Sequence, residues 1–214
     1  AGRQPIDRAP IMIDRDRLFA ADCDDKDDKK DEAGAGMVGK RLYEERIIMV
    51  TKPVDRDLMT AITAQLLAMA SESPDKPITM YVNCPGGDAD SGFGIYDMMR
   101  WISCPITTVC AGLAASAAIV IFLGGDEGRR FTLPNSRFLI HQPSTGAQGQ
   151  ASDLEITANE IMKTRDKYNG IIAEHTGRAA KQIVKDAHRD FWLTAEEAVE
   201  YSLATKIVSR ASEI

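Results

Sequence analysis

Ser116 lies in the run Val109-Cys110-Ala111-Gly112-Leu113-Ala114-Ala115-Ser116-Ala117-Ala118, where a β-prone stretch breaks into small residues around one hydroxyl before the apolar run Ile119 to Leu123. That pattern suits a strand-to-helix turn holding a nucleophile, because a sharply bent backbone and an approaching substrate carbonyl both need small neighbours. The helix beyond would favour negative charge developing at its start. A serine so placed needs a base, and the candidates are His141, His175 and His188. His141 closes the apolar run Arg137-Phe138-Leu139-Ile140 and precedes Gln142-Pro143, so it reads as the C-terminal end of a strand, where α/β sheets place their chemistry. His175 continues the helical stripe Ile161, Tyr168, Ile172, and packing or a helix-end charge accounts for it. A carboxylate must orient the imidazole. The segment Lys185 to Leu193 offers Asp186 and Asp190, and spacing alone leaves both open.

The elements that must position these groups follow from hydrophobic periodicity. Strands are predicted at Arg46–Val50, Ile78–Val82 and Ile106–Cys110, with amphipathic helices at about 55–71 (Leu58, Ile62, Leu66 and Met69 on one face), 91–101 and 116–123. Repeated strand-helix units of this kind build a mostly parallel α/β sheet. Ser152-Asp153-Leu154-Glu155 reads as a capping box opening a long helix that stops at Thr176-Gly177, and Thr194-Ala195-Glu196-Glu197 opens a short one in the same way. Pro85-Gly86-Gly87 falls between a strand and a helix, where it fits an oxyanion site, a phosphate cradle or a plain tight turn.

Composition narrows the function classes. With 214 residues and 44% hydrophobic content the chain can bury one good core, and a net charge of −6 leaves no basic footprint for nucleic acid. No apolar run is long enough to span a membrane, since Ile119 to Leu123 ends at Gly124-Gly125-Asp126. Cys23, Cys84, Cys104 and Cys110 show neither metal-ligand spacing nor a Cys-x-x-Cys pair, so free buried thiols in a reducing cytoplasm are expected, with no metal and no cofactor. Between Asp22 and Glu32 carboxylates crowd around Lys26, Lys29 and Lys30 ahead of Ala33-Gly34-Ala35-Gly36, a composition that does not order itself. Residues 1–38 are therefore expected to be a flexible acidic segment, and 39–214 the folded domain. Gly34 to Lys40 matches most of a phosphate-binding loop, but Arg41 stands where a Ser or Thr should bind magnesium, and no strand precedes it. It is a chance match, and the chain carries no ATPase motor of its own.

The segments Asn83 to Gly87, Gly112 to Ser116, Leu133 to Arg137, His141 to Pro143, Gly146 to Ala151, His175 to Gly177, and Arg189-Asp190 with Ala195 to Ala198 occur in the order and spacing of the Clp protease proteolytic subunit, ClpP. The resemblance covers roughly residues 41 to 210. It implies a ClpP/crotonase-like core of repeated ββα units with a helical handle between rings, and a serine endopeptidase acting on unfolded polypeptides. It places the nucleophile on Ser116, the base on His141, the orienting aspartate on Asp190 and the oxyanion hole on the backbone N–H groups of Gly87 and Ala117. It also implies two stacked heptameric rings, homo-oligomeric or mixed with a paralogue, and a hexameric Clp-type ATPase docking near Tyr81 and Trp101. The acidic N-terminal segment would lie at the axial pore.

The chain departs from the common pattern of that family at Leu113, Ala117 and Ala118, where most relatives carry glutamine, methionine and glycine. The smaller Ala117 enlarges the first specificity pocket, and Ala118 stiffens the turn. His188 stands where many relatives have an acidic residue of the ring-ring salt-bridge network. Leu113, Ala117 and His188 keep a weakly active or non-catalytic subunit of a mixed ring as an alternative, and the shared core with its paired backbone donors keeps a crotonase-like acyl-CoA enzyme as a more distant one.

Overall fold

The computed structural model describes residues 29–144 and 146–214. The N-terminal 28 residues, with Cys23 and most of the acidic run, lie outside the described residues. The chain folds as α1 (Lys29–Glu44), β1 (Ile47–Val50), α2 (Arg56–Glu72), β2 (Ile78–Cys84), α3 (Ala89–Trp101), β3 (Ile106–Ala115), α4 (Ala117–Leu123), β4 (Arg130–Thr132), β5 (Arg137–Ile140), α5 (Ala151–Thr176), α6 (Ala180–Asp186), β6 (Phe191–Thr194), α7 (Ala195–Glu200) and β7 (Lys206–Ile207). Helix α1 crosses the expected boundary between residues 38 and 39 and contains Gly34 to Lys40, so no phosphate-binding loop forms there. Among the described residues, no helix is long and apolar enough to cross a membrane.

The sheet runs β1-β2-β3-β4-β7 with all neighbours parallel, and β5 joins β3 in parallel before pairing antiparallel with β6. Strand β3 is longer than its sequence suggests. Its first half pairs with β4 through Thr108–Cys110; its second half pairs with β5 through Leu113–Ala115. Alanines are poor strand formers in isolation, but here the ladder to β5 overrides propensity. Between the halves, Gly112 takes φ +125°, and Asn83 lies so close that a Cβ at Gly112 would meet its Oδ1 at 2.7 Å. Ser136 holds this bend: its buried hydroxyl donates to the Cys110 carbonyl at 2.8 Å and accepts from the Gly112 N–H at 3.1 Å.

Helices form where the periodicity places them, with caps that fix their starts. The Asp55 carboxylate accepts from the Leu58 N–H at 2.7 Å, and Asp88 accepts from Ser91 N–H at 2.8 Å, which starts α3 immediately after the Gly86-Gly87 turn. The capping box at Thr194 forms as expected. The one at Ser152 does not: α5 begins two residues earlier than that box requires, with Gln150 at its N-cap and no side-chain cap. Helix α5 ends at Gly177 in the left-handed conformation, φ +68°. The core gathers the inward faces of β1 and β2, the all-buried α4, and Phe138 of β5, whose ring meets Phe122 edge-on at 5.2 Å.

Ser136→Ala should lower stability by about 1 kcal/mol, because it leaves the Gly112 N–H without its acceptor at the β3 bend and removes one of two hydrogen bonds to the Cys110 carbonyl, which keeps the Leu133 N–H. Urea unfolding followed by tryptophan fluorescence and circular dichroism measures this, and an unchanged midpoint would show that the bend is held by other means.

Candidate active site

Strand β3 delivers Ser116 at the edge of the core, and the backbone there takes φ +54°, ψ −123°, a conformation that a side-chain-bearing residue adopts only when its surroundings enforce it. The enforcement is visible. The Ser116 N–H donates to the Leu139 carbonyl of β5 at 2.9 Å, and the Ser116 carbonyl accepts from the Ile119 N–H at 2.9 Å, so the turn is tied to the sheet on one side and to α4 on the other. Gly86 closes against it: a Cβ there would stand 2.5 Å from the Ala115 carbonyl oxygen and 2.7 Å from Ser116 Cβ, and its φ is +89°. Gly87 has φ +147°, and a Cβ would lie 2.2 Å from the Val54 carbonyl oxygen. Both glycines are thus required by close approach.

Val54 also organises the donors of this turn. Its N–H donates to the Gly86 carbonyl at 2.8 Å, and its carbonyl accepts from the Asp88 N–H at 2.7 Å. The Gly86 N–H faces the Cys84 sulfur at 3.4 Å. The Gly87 N–H between them is left without an acceptor among the described residues, as is the Ala117 N–H at the first position of α4, which has no intrahelical partner. Ser116, Ala117, Gly87 and His141 line one cavity of about 540 Å³, whose walls include Phe93, Val120, Pro143, Ile161 and Tyr168.

His141 follows β5 directly, with its side chain 30% exposed, and its Nδ1 lies 3.3 Å from Oδ1 of Asp190, the residue before β6. The antiparallel pairing of Ile140 with Phe191 brings the two ends together. Gln142 anchors the same junction: its N–H donates to the Ala187 carbonyl at 2.9 Å and its side-chain amide to the His188 carbonyl at 3.1 Å. Asp186 is engaged elsewhere, accepting from Gln182 Nε2 and from the Tyr201 hydroxyl, each at 2.7 Å. The structure therefore brings His141 to Asp190 and holds Asp186 away. His175 packs its ring edge against Tyr96, with Nε2 2.8 Å from the Tyr96 hydroxyl; burial, and then the nearby Arg130 charge, push its pKa down, which favours packing over a helix-end charge. His188 has an exposed side chain.

Among the described cysteines, Cys84, Cys104 and Cys110 are buried free thiols, and burial pushes Cys110 up to about 12, which keeps it an unreactive thiol. Trp101 is 74% exposed at the end of α3, and Tyr81 is half-buried on β2. Tyr168, which the helical stripe of α5 places among packing residues, also touches the site through its hydroxyl, at 3.3 Å from the Ser116 carbonyl. The signal for it is a lone phenol in an otherwise aliphatic stripe.

A family model described as Clp protease matches residues 30–211. The ATP-dependent Clp protease proteolytic subunit of Porphyromonas gingivalis is 46% identical over 202 residues, which cover 94% of this chain and 85% of that protein.

Gly86→Ala should lower catalysis by roughly 100-fold or more while the fold survives, since a methyl group pushed into the Ala115–Ser116 backbone must displace the turn by a large fraction of an ångström. Peptide turnover and the circular dichroism spectrum of the purified variant check this; full activity would show that the turn can yield.

Proposed function

The chain belongs to the Clp protease family, and on that premise we propose that it is the proteolytic subunit of an ATP-dependent protease in which Ser116, His141 and Asp190 hydrolyse the peptide bonds of unfolded polypeptides. The observation that carries the residue assignment is the junction of β5 and β6, which sets Asp190 against His141 Nδ1 while Ser116 and His141 face one cavity. Asp190 accepts a hydrogen bond from the Nδ1–H of His141 and so leaves Nε2 as the basic nitrogen.

The chemistry then runs in two displacements. Ser116 Oγ attacks the scissile carbonyl as His141 takes its proton, and the negative charge that builds on the carbonyl oxygen is met by the free N–H groups of Gly87 and Ala117. The C–N bond breaks, with the His141 proton passing to the departing amine, and leaves an acyl-enzyme on Ser116. Water, losing a proton to His141, attacks that ester; the carboxylate product leaves and Ser116 regains its proton. The fixed peptide planes of the two donors contribute most, because they need no rearrangement as the charge appears.

Selectivity against folded substrates is assigned to restricted access rather than to the shape of the cavity. Two stacked heptameric rings, with α5 as the handle between them, would enclose the sites. A hexameric Clp-type ATPase would supply unfolded chains, docking where Trp101 projects and Tyr81 lies half-buried. Its ATP chemistry has to come from outside, since the Gly34 to Lys40 run is helical here.

Ser116→Ala should abolish labelling by a fluorophosphonate and the hydrolysis of short fluorogenic peptides without altering sedimentation; labelling that persists would remove Ser116 from the role. Asp190→Asn should cost on the order of 10⁴-fold in kcat. Asp186→Asn should cost less than threefold in rate, about 1 kcal/mol in stability from the weakened Tyr201 and Gln182 contacts, or both. Equal losses in kcat for the two variants would show that the wrong carboxylate has been assigned.

A further inference from the structure

Tyr168 sits where the exposed N-terminal part of α5 gives way to its buried part, 6% exposed, with its ring in the wall of the catalytic cavity. Its hydroxyl donates to the Ser116 carbonyl at 3.3 Å, and that carbonyl also accepts from Ile119 N–H at 2.9 Å. Burial raises the phenol's pKa and outweighs the lowering by the His141 backbone, so the group remains a donor across the working pH range. One side chain from α5 therefore reaches the backbone of the nucleophile.

The contact has a direct consequence for the oxyanion site. The Ser116 carbonyl and the Ala117 N–H belong to one planar trans peptide and point in opposite directions. Holding the carbonyl toward α5 turns the N–H away from α5. On that opposite side the backbone approaches Gly86, whose missing Cβ would lie 3.1 Å from the Ala117 nitrogen. The Ile119 bond alone fixes the carbonyl within the first turn of α4, a helix of 7 residues. The phenol fixes it from a separate element. We propose that Tyr168 is a positioning residue for the hydrolytic reaction: its hydroxyl sets the tilt of the Ser116–Ala117 peptide and thereby aims the Ala117 N–H at the developing oxyanion. The inference rests on the Ser116 reading above, and it assigns to α5 a task separate from joining subunits.

A phenol that tilts a peptide plane acts on the transition state more than on bound substrate. Tyr168→Phe, which keeps the ring and removes only the hydroxyl, should lower kcat for a short fluorogenic peptide about five- to tenfold, with KM within about twofold. A peptide boronate, whose adduct on the serine is tetrahedral and carries the oxyanion, should bind more weakly by the same factor. Rates are referred to sites titrated to completion by a fluorophosphonate, so that any loss of folded protein does not enter. Residual turnover in Ser116→Ala would overturn the nucleophile assignment itself. With Ser116→Ala inactive, a Tyr168→Phe enzyme with wild-type kcat and boronate affinity would overturn the positioning role. So would a rise in KM at constant kcat, which would leave Tyr168 as a wall of the substrate cavity.

Discussion

The approach of the Gly86 backbone to within van der Waals contact of the Ser116 turn is the constraint on which the rest of the site depends. A residue at φ +54°, ψ −123° is costly by about 1–3 kcal/mol and persists only when its surroundings leave no alternative. Here the strain is held from three sides: β5 takes the Ser116 N–H, α4 and α5 take its carbonyl, and Gly86 fills the space into which the turn would otherwise relax. The parallel pairing of β2 with β3 makes this possible, because it delivers the ends of both strands to the same edge of the sheet. The register shift between Val82 and Cys84 then lets the chain leave β2 across the elbow. The same crossing leaves the Gly87 N–H free beside the Ala117 N–H. Strain and donor placement thus have one cause.

The proposed base, His141, is held by a different logic. Asp190 is 64% exposed on its side chain, and an ion pair or charged hydrogen bond in such a setting contributes about 0–1 kcal/mol. So the contact with His141 cannot organise the junction; the junction organises it. The ladder from Arg137–Thr194 to Ile140–Phe191 and the two hydrogen bonds from Gln142 bring the backbones together first. Arg137 stacking over Trp192 at 4.2 Å adds support at the same pair of strands. The imidazole then finds its carboxylate as a by-product of backbone pairing.

Much of this was legible in the sequence, and the illegible parts have identifiable reasons. The elbow could be read at Ser116 because small residues interrupt a β-prone run, and His141 because an apolar strand ends on it. Asp190 could not be separated from Asp186 by spacing, since the choice depends on an antiparallel pairing between segments far apart in the chain; only family resemblance made it. One local clue did exist, because Gln182 and Asp186 stand four apart on α6, where such a pair satisfies itself. The far end of β3 was hidden by alanines whose strand character comes from β5, and the Ser152 box by a helix that starts one residue before it. The second role of Tyr168 was hidden for a related reason. Periodicity reports which face a residue occupies, and says nothing of what a hydroxyl on that face will meet.

The two halves of the proposed triad therefore rest on parts of the molecule with unequal local stability. Ser116 is bound to β3, α4 and β5, whose residues are almost wholly buried, so its geometry is lost only when the core opens. His141 and Asp190 lie at an edge made of β6, the segment 141–144 and the Gln142 hydrogen bonds, much of it exposed, and local opening there exposes far less apolar surface than global unfolding does. Tyr168 ties α5 to the rigid half, since its hydroxyl donates to the Ser116 carbonyl. A disturbance of α5 is then felt first at the Ser116–Ala117 peptide, while the core remains intact. Activity is accordingly the more fragile property of this fold, and whatever packs against α5 and β6 has a larger effect on the rate than on the stability of the domain.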